Sequence, residues 1–299
     1  MIKKIFILIV LLFIIGELFA RYVLGLGNSI LYISDKDYEY IEAPNQDIYR
    51  FHNHIFLNEY SMKSLPLNKS DRNILVFGDS VLNGGALTDF NNLATTIVEK
   101  ELRKTDENIR ILNISAGSWG PDNAFEYLKK YGNFNTKKII LIFSSHDAHD
   151  NITHEEVVGI LPSYPEKQPC CALVDGFERY FIPKIISFFE SKKEIEMFSK
   201  INKIDYNNTF NSGFQNFVSY TKKYNIELMV ILHPDKKELM NNDYNSNGYE
   251  IINFLKNNNI KCILELQNVK LEYFRDAIHY NKQGQTFLST ELYSLIYKD

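Results

Sequence analysis

The sequence predicts an α/β fold, a three-layer α/β/α sandwich built on a mostly parallel sheet. The main observation is that short β-rich runs alternate with helix-length segments from residue 71 onward. The second observation is composition, because 299 residues with 45% hydrophobic and 23% charged side chains fit one large globular domain and exclude disorder. Alternation of this kind favours a parallel sheet covered by helices on both faces.

The predicted elements keep one rhythm along this domain, which we place at residues 71–299. The predicted strands cover residues 74–77, 109–114, 138–143, 227–232 and 261–264, and the predicted helices lie near residues 91–104, 122–131, 214–223, 249–257 and 282–297. Between about residues 155 and 208 the rhythm stops, and prolines and aromatic residues predict an insertion over the site. Ligands of such sheets bind beyond the carboxyl ends of the strands, so functional residues are expected there.

The first 27 residues predict a signal anchor with a transmembrane helix. Lys3 and Lys4 precede an unbroken apolar run from Ile5 to Gly16. Twelve strictly apolar residues suit the core of a cleavable signal peptide, whereas the whole stretch from Ile5 to Gly27 reaches the length of about 20 residues that spans a bilayer. Both interpretations stay open, and we prefer the uncleaved anchor.

The residues around the end of this stretch argue against cleavage. A cut after Ala20 would place Leu18 at the −3 position, where signal peptidase prefers a small residue. Lysines before the run predict the amino terminus inside and the rest of the chain outside. The excess of Lys over Arg and the abundance of Asn and Ile suggest a bacterial source. The expected localisation is therefore a bacterial cytoplasmic membrane, crossed once, with the main domain extracytoplasmic.

Residues 28–70 are polar and aromatic without a sustained period of 2 or 3.6. We interpret this segment as an extended lead-in that packs along the domain, with a spacer from the membrane as the alternative. The charge balance, 33 Lys and Arg against 37 Asp and Glu, argues against nucleic acid as a partner. Three cysteines are too few for a disulfide scaffold, and a free thiol is expected at Cys262.

Two short motifs indicate nucleophilic chemistry. Gly78, Asp79 and Ser80 follow the first predicted strand directly, where a serine is useful if a base and backbone amides lie within reach. Asp276 and His279 are three residues apart, a spacing that lets a carboxylate orient an imidazole. Each motif alone is more typical of an ordinary turn.

Three blocks of the chain are more informative together than either motif is alone. The first is Ile74 to Ser80, the second is Asn113 to Gly120, and the third is Asp276 to His279 followed by Gly284 and Gln285. In these blocks the chain resembles the SGNH hydrolases, also called the GDSL esterase and lipase superfamily, over about residues 72–297. The resemblance implies a flavodoxin-like sheet of about five parallel strands and no required cofactor.

The resemblance also implies roles for individual residues. Ser80 would be the nucleophile and would donate its amide to the oxyanion, while Asp276 and His279 would complete the triad. Gly117 would be the second amide donor, or Ser118 if the block is shifted by one residue.

One block departs from the family pattern. Where the family has Gly-x-Asn-Asp after the third strand, this chain has Ser144, Ser145, His146 and Asp147. A neutral imidazole can donate one N–H to an oxyanion, so we expect His146 to replace the asparagine amide. We name Asp79, Ser118, Asp147 and His233 as candidate substrate contacts, with a hydrogen-bonded turn as the alternative for His233.

The same stretch supports a rival hypothesis. Five histidine and aspartate residues lie within a stretch of nine residues at a strand end, and this density could supply ligands to a divalent metal. The residues concerned are His146, Asp147, His149, Asp150 and His154. In that case the protein would be a metallohydrolase and Ser80 would only line the pocket.

We predict a serine esterase that forms an acyl-enzyme on small acyl esters, such as acetyl esters, of extracytoplasmic glycans. A sugar hydroxyl in place of water would make it an O-acyltransferase to envelope polysaccharide. A lipid esterase, a metallohydrolase and a non-catalytic carbohydrate-binding protein are also compatible with the sequence. The expected partners are a glycan-linked acyl ester and, through the N-terminal helix, the membrane.

Overall fold

The computed structural model describes residues 2–68, 70–182, 184–185 and 209–297. It contains four short strands, β1 (Tyr32–Asp35), β2 (Glu39–Glu42), β3 (Gln46–Arg50) and β4 (Asn53–Leu57), and five strands of a central sheet, β5 (Arg72–Gly78), β6 (Ile109–Ser115), β7 (Lys138–Ser144), β8 (Glu227–His233) and β9 (Lys261–Leu264). The central strands lie in the order β6-β5-β7-β8-β9, and every neighbouring pair is parallel. With β5 counted as the first strand, this is the 2-1-3-4-5 order of a flavodoxin-like sheet.

Helices cover both faces of the sheet. The α-helices of the described residues are α1 (Ile2–Tyr22), α2 (Ser80–Asn83), α3 (Ala94–Leu102), α4 (Pro121–Tyr131), α5 (Ala172–Gly176), α6 (Ser212–Tyr224), α7 (Lys236–Asn241), α8 (Ser246–Asn257) and α9 (Lys282–Tyr297). Of these, α1 and α5 pack against each other instead of on the sheet. Alternate residues of β5 serve different faces, since Leu75 and Phe77 pack with α4, α6 and α8, whereas Ile74 and Val76 pack with α2, α3 and α9. The predicted α/β sandwich with a parallel sheet is confirmed.

Residues 28–70 form structure that the sequence pattern did not reveal. Two antiparallel hairpins, β1-β2 and β3-β4, replace the expected irregular lead-in. Strands of four or five residues are too short to produce a clear period. The segment packs on the domain, because the indole of Trp119 donates to the Tyr40 carbonyl at 2.8 Å and the Lys63 ammonium donates to Asn83 Oδ1 at 2.8 Å. A free spacer is therefore not what the structure shows, whereas the boundaries at residues 27 and 70 stay predictions.

The expected anchor forms helix α1, but the expectation of a transmembrane helix is not supported. Within the described ranges, none of the helices combines the length and the apolarity that crossing a bilayer requires. The uncharged run between Lys4 and Glu17 covers only twelve residues, against about 20 for a spanning helix. Glu17 is instead engaged with the domain, where its carboxylate accepts the amides of Ala172 and Leu173 at 3.0 Å each. The extracytoplasmic localisation stays a prediction.

The expected insertion at about residues 155–208 lies partly outside the described residues, which exclude 183 and 186–208. Its described part contains α5, which is tied to the hairpins by a buried ion pair of 2.8 Å between Arg50 and Asp175. The three cysteines are free, as expected for Cys262, and burial raises the pKa of the Cys262 thiol to about 12.

Candidate active site

The end of β5 places Ser80 at the first position of α2. A Cβ atom at Gly78 would lie 2.7 Å from the Ile142 carbonyl oxygen of the neighbouring strand, so only glycine fits this close approach. Asp79 caps the helix, because its Oδ1 accepts the Val81 amide at 2.8 Å. The serine is thus held at the carboxyl edge of the sheet and remains partly exposed.

Three residues that are distant in the sequence meet at this edge. His279 Nε2 lies 2.9 Å from Ser80 Oγ, and His279 Nδ1 lies 2.9 Å from both carboxylate oxygens of Asp276. The carboxylate thereby favours the tautomer with a proton on Nδ1, which leaves Nε2 free to accept the serine proton. This geometry is suited to activating a serine hydroxyl, whereas the catalytic roles themselves stay predictions.

The loop that carries Asp276 keeps its carboxylate charged. Burial acts to raise the pKa of Asp276, but hydrogen bonds from the amides of His279 and Ile278 and from the imidazole lower it to about 2. Asp276 therefore stays ionised at every pH at which the protein is expected to work.

We expect Asp276→Asn to lower kcat for ester hydrolysis by about 10²- to 10⁴-fold. The amide can donate to Nδ1 and so stabilise the tautomer that leaves Nε2 protonated and unable to act as a base. Steady-state kinetics on an aryl ester would measure the effect, and an unchanged kcat would contradict the relay.

Two backbone amides follow the paired ends of β5 and β6. Among the described residues, neither the Ser80 amide nor the Gly117 amide donates to a hydrogen-bond acceptor. Gly117 follows β6, and the Tyr40 hydroxyl holds its carbonyl at 2.9 Å. Unpaired amides at the edge of a site are the groups that an oxyanion hole needs. Tyr40 lies in the lead-in and was missed by sequence reasoning, since no motif marks it.

His146 lies beside two buried carboxylates. Its Nε2 is 3.7 Å from Asp79 Oδ2 and 3.5 Å from Asp147 Oδ1. The other Asp147 oxygen accepts the Ser144 amide at 2.6 Å. Burial and the neighbouring charges of Asp79 and Asp150 raise the pKa of Asp147 well above its usual range. The expected oxyanion role of His146 stays a prediction, and Asp79 and Asp147 are too deeply buried to contact a substrate directly.

The five residues of the rival metal hypothesis do not come together. His149 Nε2 lies 2.8 Å from Glu250 Oε2, and His154 is exposed. Across the described part of the chain, the group able to share an ion consists of Asp79, His146 and Asp147. The predicted metal set is therefore corrected, because Asp79 from a different strand end replaces His149, Asp150 and His154.

His233 is fully buried at the end of β8 and does not reach the substrate side. Its Nδ1 lies 2.7 Å from Glu265 Oε2, and its Nε2 lies 2.8 Å from the Ile278 carbonyl oxygen. The Tyr280 hydroxyl donates to the same Glu265 oxygen at 2.8 Å. The substrate contact expected of His233 is thus replaced by a buried network directly behind His279. Sequence reasoning missed Glu265, although its position directly after the last predicted strand could have suggested a role at this edge of the sheet.

A polar cavity of about 270 Å³ adjoins the turn at Gly117 and Ser118. Its lining includes Ser118, Tyr40, Tyr164 and Asp150. Burial, followed by the charges of Asp122, Asp79 and Glu39, raises the pKa of Asp150 to about 7. Ser118 is exposed and lines this cavity. The substrate contact expected of Ser118 stays a prediction.

Asp150 gives a pH-dependent prediction. Between pH 3.8 and about 7 the folded protein holds a proton on Asp150 that the unfolded chain does not, so stability falls as the pH rises. We expect the isosteric Asp150→Asn variant to escape this loss and to exceed the wild type by up to about 4 kcal/mol above pH 7. The difference should vanish near pH 4. Urea unfolding at several pH values would test it, and a difference independent of pH would contradict the assignment.

Comparisons with known proteins find distant similarity between this chain and solved structures. No protein-family model and no curated protein matches the chain. Among solved structures, the chain is similar to a member of the lipolytic protein G-D-S-L family from Veillonella parvula, with 11% identity, 76% of this chain and 97% of that chain covered and a TM-score of 0.40. It is also similar to a psychrotrophic esterase from a Pseudoalteromonas species, with 13% identity, 76% and 98% covered and a TM-score of 0.42.

A third similar structure is an acetyl xylan esterase from Geobacillus stearothermophilus, with 12% identity, 74% of this chain and 94% of that chain covered and a TM-score of 0.39. Similarity at these values does not establish an activity.

Proposed function

We propose that this protein is a serine ester hydrolase of the SGNH type. The observation that carries the proposal is the contact of 2.9 Å between Ser80 Oγ and His279 Nε2, with Asp276 on the other ring nitrogen. In the reaction, Ser80 Oγ attacks the ester carbonyl while His279 takes its proton. His279 then returns that proton to the departing alcohol, and water releases the acyl group from Ser80.

The two unpaired amides support this assignment. The negative charge that develops on the carbonyl oxygen needs donors already in place, and the amides of Ser80 and Gly117 can supply them. The cap that Asp79 forms on α2 fixes the orientation of the first of these amides. The chain therefore has a group that can move the serine proton, His279, and groups that can stabilise the oxyanion, the two amides.

We further propose that the substrate is a small acyl ester, such as an acetyl ester, carried by a glycan. The cavity beside Ser118 is about 270 Å³, slightly below the range of about 300–1,000 Å³ that is usual for ligand pockets, and suits one sugar ring better than a long acyl chain. Tyr40 and Tyr164 contribute two aromatic rings, 4.8 Å apart, to its polar lining. Aromatic faces with hydroxyl and carboxylate neighbours are suited to the alternating apolar and polar surface of a sugar.

The test uses the full-length chain on aryl esters of increasing acyl length and on an acetylated oligosaccharide. We expect kcat/KM to be highest for the acetyl ester and acetate to be released from the oligosaccharide. A preference for long acyl chains would indicate a lipid esterase. Movement of the acetyl group to an added saccharide, without release of acetate, would indicate an O-acyltransferase. Saturable sugar binding without turnover of any ester would overturn the enzymatic assignment.

A further inference from the structure

The cluster of Asp79, His146 and Asp147 is the feature that the serine mechanism leaves unexplained. Two of its oxygens, Asp79 Oδ2 and Asp147 Oδ1, are buried and have no hydrogen-bond partner among the described residues. The exposed fractions of these two residues are 1% and 0%. Buried carboxylate oxygens without a partner are costly, and a bound ion is one of their standard explanations.

The two distances from His146 to the carboxylates suit atoms that share an ion. His146 Nε2 lies 3.7 Å from Asp79 Oδ2 and 3.5 Å from Asp147 Oδ1, which is too long for good hydrogen bonds of about 2.7–3.2 Å. Ligands at about 2.1 Å from a tetrahedral ion are separated from one another by about 3.4 Å. The corresponding separation around an octahedral ion with bonds of that length is about 3.0 Å, which fits less well. All three ligand atoms lie within 4.8 Å of one another.

The way each ligand is held also fits a built site. Asp79 uses its other oxygen to cap α2, and Asp147 uses its other oxygen to accept the Ser144 amide. These second contacts fix both carboxylates, as outer contacts do in metal sites. The His146 side chain is 38% exposed, so the cluster opens to solvent on the side of the imidazole.

We propose that Asp79, His146 and Asp147 bind a divalent cation of the zinc class, with three protein ligands and an open fourth position. An imidazole nitrogen with two carboxylate oxygens is a donor set that zinc accepts, and an open position is typical of zinc sites that bind water or a substrate oxygen. Because Asp79 directly precedes Ser80, the ion would lie beside the serine. This site differs from the loop set predicted from the sequence, since it joins the ends of β5 and β7.

The experiment measures zinc binding by calorimetry on the full-length protein after treatment with a chelator. Cys170 and Cys171 are free neighbours that can bind zinc themselves, so the background is a variant in which both are serine. We expect one saturable site per chain. His146→Ala and Asp147→Asn should each weaken binding at least about 100-fold, since even the loss of an outer contact costs up to that much. His154→Ala, which removes an exposed histidine of the same loop, should bind as the background does.

Cobalt provides a second measurement that reports geometry. Co²⁺ in a tetrahedral site absorbs visible light much more strongly than Co²⁺ in an octahedral site, and His146→Ala should abolish the intense bands. If Asp147→Asn does not fold, His146→Ala decides, because its side chain is partly exposed. Zinc binding unchanged by His146→Ala, or the lack of a saturable site, would overturn the proposal. Neither readout depends on ester turnover, so failure of the metal-site proposal is distinguishable from failure of the serine mechanism.

Discussion

Ser80→Ala should abolish labelling of the protein by a fluorophosphonate probe and lower kcat for ester hydrolysis by at least about 10³-fold. The probe reacts only with a serine whose proton can leave, and His279 Nε2 lies 2.9 Å from Ser80 Oγ to receive it. Removing the hydroxyl eliminates the atom on which the acyl-enzyme forms. Mass spectrometry of the labelled protein would identify the modified residue without knowledge of the substrate.

The matched control is Ser118→Ala. Ser118 is an exposed serine near the same turn, but no imidazole is hydrogen-bonded to its hydroxyl among the described residues. This variant should retain labelling at Ser80. His279→Gln should lose labelling almost as completely as Ser80→Ala, because residues that act as one unit do not contribute additively. Labelling that persists in Ser80→Ala would remove the serine mechanism.

The second large effect is expected for Glu265→Gln, which breaks the buried pair with His233. Burial alone would lower the pKa of His233, but the Glu265 carboxylate raises it above its ordinary value of 6.5. Loss of one partner of a buried charged pair costs about 3–5 kcal/mol of unfolding free energy. Since the folded pKa of His233 is raised, the cost should be complete below pH 6.5 and decline at higher pH. Urea unfolding at pH 6 and at pH 9 would measure both values.

The same variant tests whether the pair positions His279. His233 Nε2 lies 2.8 Å from the Ile278 carbonyl oxygen, one residue before His279. At a temperature where the variant is folded, kcat should fall while KM changes little, because the imidazole shifts and the substrate cavity does not. Tyr280→Phe removes only a neutral donor to the Glu265 carboxylate and should cost about 1.5–3 kcal/mol with a smaller loss of kcat. If kcat is unchanged in both variants, the network has only a structural role.

Much of the fold followed from periodicity in the sequence. The expected strand at residues 261–264 and the expected terminal helix at residues 282–297 have the observed bounds, and the other central strands differ by one or two residues at their ends. These elements have long apolar patterns set by the sheet and its covering helices. Helix α7 was not expected, because its six residues are too few to show a period.

The alternation of strands and helices and the residue types of a serine relay could be predicted from the sequence, because both are encoded locally in short stretches. Which distant groups meet depends on the folded chain. Parallel crossovers bring the ends of β5 and β7 together, so Asp79 joins His146, while His149 turns to Glu250 instead. The burial of His233 behind His279 depends on the same packing. Contacts between residues far apart in the chain arise from the whole fold, and no local pattern records them.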